Sequence, residues 1–123
     1  MIKGVGVDLA QITRLRRAVE RWDERFLRRV FTEAEIAYCR RRRDPIPHLA
    51  ARFAAKEAVM KALGVGLGAF AFHDVEVVRA PSGQPMLELR GRAEALARQQ
   101  GVTGWRLSLT HTHRVAEAVA VAL

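Results

Sequence analysis

The sequence predicts an α+β domain in which an antiparallel sheet packs on one long helix. Residues 48–63 are a run of good helix formers that ends at Gly64. Residues 105–110 alternate between apolar and polar side chains, and residues 115–123 are almost wholly apolar, as strands are. The length of 123 residues, half of them hydrophobic, suits one core, so residues 1–123 are predicted to form a single domain.

The N-terminal half is predicted to open with a buried strand at residues 2–8 that ends at Asp8. The two glycines of this strand leave room for another backbone to approach closely. Thr32 and Glu35 have the spacing of a capping box, which marks the start of a helix. The prolines in residues 44–47 end that helix and delay the long one. The helices predicted before the long one cover residues 11–21, 23–30 and 33–41.

The C-terminal half is predicted to contain four strands and one helix. A Pro-Ser-Gly-Gln-Pro turn at residues 81–85 joins the first two strands into an antiparallel pair. A helix follows and ends at Gly101. The final strand has apolar residues at nearly every position, which predicts a central strand covered on both faces. The strands cover residues 74–79, 86–90, 105–110 and 115–123, and the helix covers residues 91–100.

The chain is strongly basic, with 21 Lys and Arg against 13 Asp and Glu and a net charge of +8. Residues 12–43 alone hold eleven Arg and five acidic residues, which predicts an anionic partner: nucleic acid, an acidic protein or a phosphorylated ligand. A solvated helix face remains the alternative. Cys39 stands alone, which excludes an internal disulfide framework and a Cys-based zinc cluster, and we expect it to be partly buried. No apolar run approaches a membrane span and no signal peptide is evident, so a cytoplasmic protein is expected.

Four residues form a candidate site for chemistry at phosphate. Glu57 and Lys61 are four apart and therefore share one face of the long helix. Asp8 ends the first predicted strand, and His111 lies in the turn between the last two strands. Two carboxylates without cysteine favour a hard cation such as Mg²⁺, which fills its coordination shell with phosphate oxygens and water. Lys61 and His111 would then contact phosphate, as in phosphoryl-type transfer.

Each of these residues also has a simpler interpretation. Glu57 and Lys61 could form an ordinary surface ion pair, and Asp8 could cap the helix that follows it. His111 and His113 could be exposed polar residues of a turn. A zinc site is a weak alternative because no third soft ligand is evident.

Four sequence blocks, in order and spread over the whole chain, resemble one enzyme family. They are residues 4–9 (GVGVDL), 31–35 (FTEAE), 52–58 (RFAAKEA, followed by Lys61) and 108–112 (SLTHT). The chain is identified on these blocks as similar to the short bacterial 4'-phosphopantetheinyl transferases, the holo-[acyl-carrier-protein] synthases. The resemblance implies their α+β fold, and the transfer of 4'-phosphopantetheine from coenzyme A to a serine of apo acyl carrier protein, with release of adenosine 3',5'-bisphosphate.

The resemblance also assigns roles to individual residues. It makes Asp8 and Glu57 the Mg²⁺ ligands, Lys61 a phosphate contact, and His111 a pyrophosphate contact with a catalytic role. The turn at Gly83 and Pro85 resembles the segment that helps form the adenine pocket. The basic helix that docks the acidic carrier protein is matched by Arg14, Arg21 and Arg25. The family assembles as a homotrimer with its sites at subunit interfaces, so a homotrimer is implied here.

The sequence is compatible with two general bases and with a rival function. The general base is either Glu57 or a metal-bound water. The rival function is a basic nucleic-acid-binding module, favoured by the charge and by the run of four arginines at residues 40–43. No helix-turn-helix, RNA-recognition or zinc-finger pattern supports that rival, and aromatic residues that could stack on bases are few. A non-catalytic subunit of a larger synthase would have no need for the paired carboxylates.

Overall fold

The computed structural model describes residues 1–123 and contains five strands and four helices, with one short 3₁₀ turn at Phe72–Asp74. The strands are β1 (Gly4–Gln11), β2 (Val75–Arg79), β3 (Pro85–Leu89), β4 (Trp105–His111) and β5 (Val115–Ala122). The helices are α1 (Ile12–Val30), α2 (Glu33–Arg40), α3 (Pro45–Ala62) and α4 (Gly91–Gln99). No helix is long and apolar enough to cross a membrane.

The strands form two antiparallel sheets rather than one. The larger sheet has the order β1-β5-β4, so the apolar C-terminal strand is central, as predicted. The smaller sheet is the β2–β3 hairpin. The long helix α3 packs across one face of the larger sheet, which confirms the predicted α+β architecture.

Small residues on both sides allow α3 to approach the sheet very closely. A Cβ atom added to Gly4 would collide with the carbonyl oxygen of Ala62, and one added to Gly6 would collide with that of Ala58. The two glycines of β1 therefore serve the close approach that the sequence predicts. The central strand contributes only alanines to this contact, all fully buried: Ala116, Ala118, Ala120 and Ala122.

Two predicted boundaries are wrong: the start of α3 and the end of β1. The long helix begins at Pro45, and Asp44 caps it by accepting a hydrogen bond from the backbone N–H of Ile46 at 3.1 Å. The prolines lie in the first turn, where helix N–H groups need no intrahelical partner, so they start this helix instead of delaying it. Strand β1 continues to Gln11, so Asp8 lies inside the strand, opposite Ala118, and does not cap α1.

The region before α3 agrees better with the sequence. Helix α1 is broken at Asp23, which has φ 53° and ψ −133°, and this break separates the two predicted helical segments. Thr32 and Glu35 form the complete predicted capping box at the start of α2. Cys39 is fully buried, further than expected.

A buried ion pair attaches the β2–β3 hairpin to α3. Lys56 donates to Glu35 Oε1 at 2.8 Å, and neither side chain is exposed. Lys56 also donates to the carbonyl of Phe72 at 3.1 Å, while the backbone N–H of Val77 donates to Glu35 Oε2 at 2.9 Å. Because both charges are paired and bonded on several sides, this contact fixes where the hairpin lies against the helix.

The second face of the larger sheet is uncovered within one chain. Val5, Val7 and Leu9 are 57%, 49% and 63% exposed on this face. They are joined by the partly buried Val119 and Val121 of β5. The prediction that β5 is covered on both faces is therefore wrong for the isolated chain. A contiguous exposed apolar face of this kind is typical of a protein–protein interface.

Candidate active site

Asp8, Glu57 and Lys61, here called the carboxylate cluster, meet where β1 crosses α3. Lys61 Nζ donates to Asp8 Oδ1 at 2.9 Å and to the carbonyl oxygen of Val7 at 3.1 Å. The Asp8 side chain is only 10% exposed, whereas that of Lys61 is 56% exposed. The lysine therefore neutralises a largely buried carboxylate from the solvent side.

Glu57 experiences a different environment. Burial raises its pKa, and the neighbouring negative charge of Asp8 raises it further, against an opposing effect of Lys61. The hydrogen bond with Asp8 raises the pKa of Lys61, which keeps the ammonium charged. Two carboxylates that repel each other across a short gap are well suited to a divalent cation, because the cation lets both ionise together.

The carboxylate cluster opens into a cavity of about 550 Å³. Asp8 and Glu57 form part of its wall, and apolar side chains including Phe26 and Phe53 form most of the rest. Arg14 also lines this cavity. The space is large enough for an extended organic group beside the carboxylates, with a cation at the rim.

His111 lies away from the carboxylate cluster within one chain. It is the last residue of β4 rather than part of the turn that follows. It shares a second cavity, of about 310 Å³, with His48, Arg52 and Arg79, a set called here the arginine–histidine pocket. Glu57 lies nine residues after His48, which is about two and a half turns of α3, so the two side chains leave the helix on opposite sides.

The arginine–histidine pocket continues into a strongly positive surface around Tyr38. Four guanidinium groups lie 4.4–5.7 Å from the centre of its ring, those of Arg41, Arg42, Arg52 and Arg79. Burial alone would raise the pKa of the Tyr38 hydroxyl, but its hydrogen bond with Arg42 and the nearby positive charges lower it on balance. Arg52 is itself buried, and its Nε has no hydrogen-bond partner. This surface is suited to binding an anion with several charges.

The predicted adenine-pocket turn borders the same surface. Gly83 lies between β2 and β3 with φ +89°, a conformation that favours glycine, and Pro85 is the first residue of β3. The guanidinium of Arg79 donates to the carbonyl oxygen of Gly83 at 2.7 Å. The turn is thereby joined directly to a residue of the arginine–histidine pocket.

The remaining predicted partner residues are exposed on α1. The Arg21 guanidinium lies 5.3 Å from the ring centre of Trp22, which is 54% exposed. Arg25 lines a separate depression with Trp22, Phe26 and Arg29. Because Phe26 also lines the cavity of the carboxylate cluster, the basic face of α1 is continuous with that cavity.

Sequence reasoning missed His48, Arg79 and the role of Arg52. The spacing of His48 and Arg52, one turn apart on the predicted helix, was a usable signal that both face the same way. Arg79 gave no such signal, because its place beside His111 depends on how the hairpin docks.

Comparisons with known proteins show the family of the chain. The family model described as the 4'-phosphopantetheinyl transferase superfamily matches residues 4–121. Holo-[acyl-carrier-protein] synthase of Moorella thermoacetica is 52% identical over 94% of this chain and 90% of its own length. The corresponding protein of Desulforudis audaxviator is 49% identical over 100% of this chain and 94% of its own.

Solved structures give the same result for the fold. The crystal structure of the Neisseria meningitidis synthase superposes with a TM-score of 0.90 at 30% identity, covering 100% of this chain and 99% of the other. That of the Helicobacter pylori synthase in complex with coenzyme A superposes with a TM-score of 0.86 at 30% identity, covering 97% and 99%. A match of this extent, on a chain that carries the carboxylate cluster and the arginine–histidine pocket, shows that the protein belongs to the 4'-phosphopantetheinyl transferase superfamily.

Proposed function

We propose that this chain is a holo-[acyl-carrier-protein] synthase, which transfers 4'-phosphopantetheine from coenzyme A to a serine of apo acyl carrier protein. The observation that carries the proposal is the carboxylate cluster, in which Asp8 and Glu57 adjoin each other with Lys61 bonded to Asp8. Relatives at 52% and 49% identity bear this activity in their names. The cytoplasmic location expected from the sequence stays a prediction.

The reaction would exchange one phosphorus–oxygen bond for another. The serine oxygen attacks the phosphorus that bears the pantetheine arm, and the bond from this phosphorus to the bridging oxygen breaks. Adenosine 3',5'-bisphosphate leaves with the bond electrons, and the serine proton passes to a base. Lys61 lies at the edge of the site with an exposed ammonium, so it can turn toward the phosphates and stabilise the charge on the leaving group.

The residues present fit Mg²⁺. Asp8 and Glu57 supply two carboxylates, and no group of three or more potential metal-ligating side chains occurs. Such a site leaves several positions for phosphate oxygens and water, which is the usual arrangement for Mg²⁺ and not for zinc. Bound there, the ion would neutralise charge on the pyrophosphate.

For the serine proton we favour transfer through a water molecule. A carboxylate that holds a cation is a weaker base than a free one, so Glu57 is better suited to binding the metal than to accepting the proton. In pre-steady-state measurements on Glu57→Gln at saturating Mg²⁺, a preserved chemical step would support this assignment. Loss of the step at full metal occupancy would make Glu57 the base.

The arginine–histidine pocket would hold the phosphates of coenzyme A. His111 and Arg52 line it, and the arginines around Tyr38 extend its positive charge outward. The turn at Gly83 and Pro85 is joined to Arg79 and would border the adenine. The exposed arginines of α1, namely Arg14, Arg21 and Arg25, would face the acidic carrier protein, where opposite charges accelerate encounter.

We further propose that the active form is a homotrimer whose sites lie between chains. Within one chain α3 separates the carboxylate cluster from His111, so a complete site requires a second copy. The exposed apolar face at Val5, Val7 and Leu9 supplies a surface on which copies can associate.

Intact-mass spectrometry of an apo acyl carrier protein tests the reaction. Incubation with this chain, coenzyme A and Mg²⁺ should add roughly 340 Da, the mass of the transferred group on serine. We expect EDTA or Asp8→Ala to abolish the gain and Glu94→Ala, at an exposed ion pair on α4, to leave it unchanged. If no gain occurs with several carrier proteins and with Mn²⁺ also tried, the transferase proposal fails.

Mixing two impaired variants tests whether the site is shared. Asp8→Ala disables the carboxylate cluster and His111→Ala impairs the arginine–histidine pocket, but a mixed oligomer contains sites built from the intact parts of two chains. Equal mixing after dissociation should restore about one quarter of the wild-type activity, by random pairing. Absence of any recovery in demonstrably mixed oligomers would place the whole site in one chain.

A further inference from the structure

The rings of His48 and His111 contact each other in the arginine–histidine pocket. Their centroids are 5.3 Å apart and their planes are inclined at 72°, so one ring presents its edge to the other. Edge-to-face packing is a favoured aromatic geometry. His48 lies in the first turn of α3 and His111 at the end of β4, so the contact joins two elements whose backbones are held by different hydrogen-bond networks.

This contact restrains the His111 ring. The backbone of His111 is fixed by antiparallel pairing with Ala116. Its side chain makes no hydrogen bond to the protein, and the residue is exposed. An exposed imidazole without hydrogen bonds would otherwise sample several rotamers.

His48 is held more firmly. It is part of a helix, it is half-buried, and its carbonyl oxygen accepts a hydrogen bond from Arg52 Nη1 at 3.2 Å. Arg52 is itself buried against the ring of Tyr38, with its guanidinium 4.4 Å from the ring centre. The backbone of His48 is therefore held in place, and its half-buried ring offers a surface against which the ring of His111 can lie.

The charges around His48 favour its neutral form. Burial lowers its pKa, and the proximity of His111 and of three arginines lowers it further. The groups that face it are Arg42, Arg52, Arg79, His111 and Asp44, of which only Asp44 is acidic. A neutral ring near pH 7 neither repels His111 nor competes with it for a phosphate.

We propose that His48 is a positioning residue for His111, holding that ring toward the phosphates of the donor through edge-to-face packing. This inference rests on the proposed function, in which His111 contacts the pyrophosphate. His48 does not exchange a proton with the substrate. It restricts His111 to few orientations before coenzyme A binds. Less side-chain entropy is therefore lost when coenzyme A binds and reacts.

Steady-state kinetics of five variants, with the Mg²⁺-loaded chain and apo acyl carrier protein, test the proposal. His48→Ala removes the packing surface and should lower kcat/KM for coenzyme A by about 5- to 10-fold. His48→Phe keeps an aromatic ring without nitrogen and should restore it to within about 2-fold. His48→Ala combined with His111→Ala should be no slower than His111→Ala alone. His113→Ala, an exposed histidine outside the pocket, is the matched control and should behave as wild type.

The pH profile separates positioning from acid–base chemistry. The profile of kcat/KM for His48→Phe should have the same limbs as the wild type, since His48 carries no proton in the reaction. A shifted or missing limb, equal activity of His48→Ala and wild type, or additive losses in the double variant would each overturn the proposal. If the wild-type chain transfers nothing, the proposed function fails instead. A wild-type chain that transfers, with an indifferent His48, overturns only this inference.

Discussion

At the scale of single residues, ionised Glu57 lowers the folding stability, and a bound cation can offset this effect. Its pKa is raised by burial and by Asp8, so its contribution to folding stability is present at low pH and is lost as the pH rises through the raised pKa. A divalent cation should offset this loss by holding both carboxylates in their charged form. We expect saturating Mg²⁺ to raise the melting temperature at about pH 8 by ~3–6 °C and to raise it less at about pH 5.

Glu57→Gln provides the control for this effect. The amide removes one of two negative charges that repel each other. Without Mg²⁺ at alkaline pH, the variant should therefore melt at a higher temperature than the wild type. It should also lose most of the response to Mg²⁺. Calorimetry at both pH values measures this, and an equal Mg²⁺ response in the two proteins would show that the ion binds elsewhere.

Cys39 is predicted to be inert in the folded chain. Burial raises the pKa of its thiol to about 11, and no part of the residue is exposed. Because the thiolate is the reactive form, a thiol-specific disulfide reagent should not label the native protein at about pH 8 and should label it fully in urea. Rapid labelling under native conditions would contradict the buried placement.

At the scale of elements, the contact of β1 with α3 depends on missing side chains. Gly6→Ala would place a methyl group against the carbonyl oxygen of Ala58, which is helix backbone and cannot move aside cheaply. We expect the free energy of unfolding to fall by ~3 kcal/mol or more. Gly66→Ala, at a loop glycine with nothing within 4 Å of the added atom, is the control and should change it by less than ~1 kcal/mol. Urea denaturation of both variants measures the difference, and similar midpoints would refute the close approach.

The sequence carried most of the information on elements that depend on local patterns. The capping box at Thr32 and the apolar run of β5 are examples, because each is set by neighbouring residues. Asp8 was interpreted as the end of β1. The strand continues to Gln11 because β5 pairs with it that far, and the pattern within β1 does not show the length of its pairing strand. Pro45 was interpreted as a helix break. The missing N–H of proline ends a preceding helix, but the same property suits proline to the first turn of the next one.

The candidate site could likewise be predicted only where it depends on local sequence patterns. Glu57 and Lys61 could be paired from their spacing on one helix. Asp8 and His111 were added from their predicted places at a strand end and in a turn, and the resemblance to a family assigned their roles. The separation of His111 from the other three could not be foreseen, since it depends on the order β1-β5-β4 and on α3 lying across it. Likewise, Arg79 reaches the pocket only through the docking of the hairpin by Lys56 and Glu35.

At the scale of the whole molecule, the exposed face of the larger sheet should control assembly. Val5→Asp places a charge on this face, where Val5 is 57% exposed opposite Val121. We expect the variant to be monomeric by light scattering and to lose at least ~10-fold in transfer activity, while it remains folded by circular dichroism. Leu67→Asp, at a loop leucine that is 75% exposed, is the control and should assemble normally. A fully active Val5→Asp monomer would refute both the trimer and the shared site.

The arrangement of α3 has a consequence for mixed populations of chains. Because Glu57 and His48 lie on opposite sides of this one helix, each chain in the proposed trimer serves two neighbouring sites. One chain defective on both sides would therefore silence about two-thirds of the sites in a trimer that it forms with two normal chains. Such a variant would be dominant-negative when produced together with the normal protein. The fraction of transfer activity lost would exceed the fraction of chains that carry the defect.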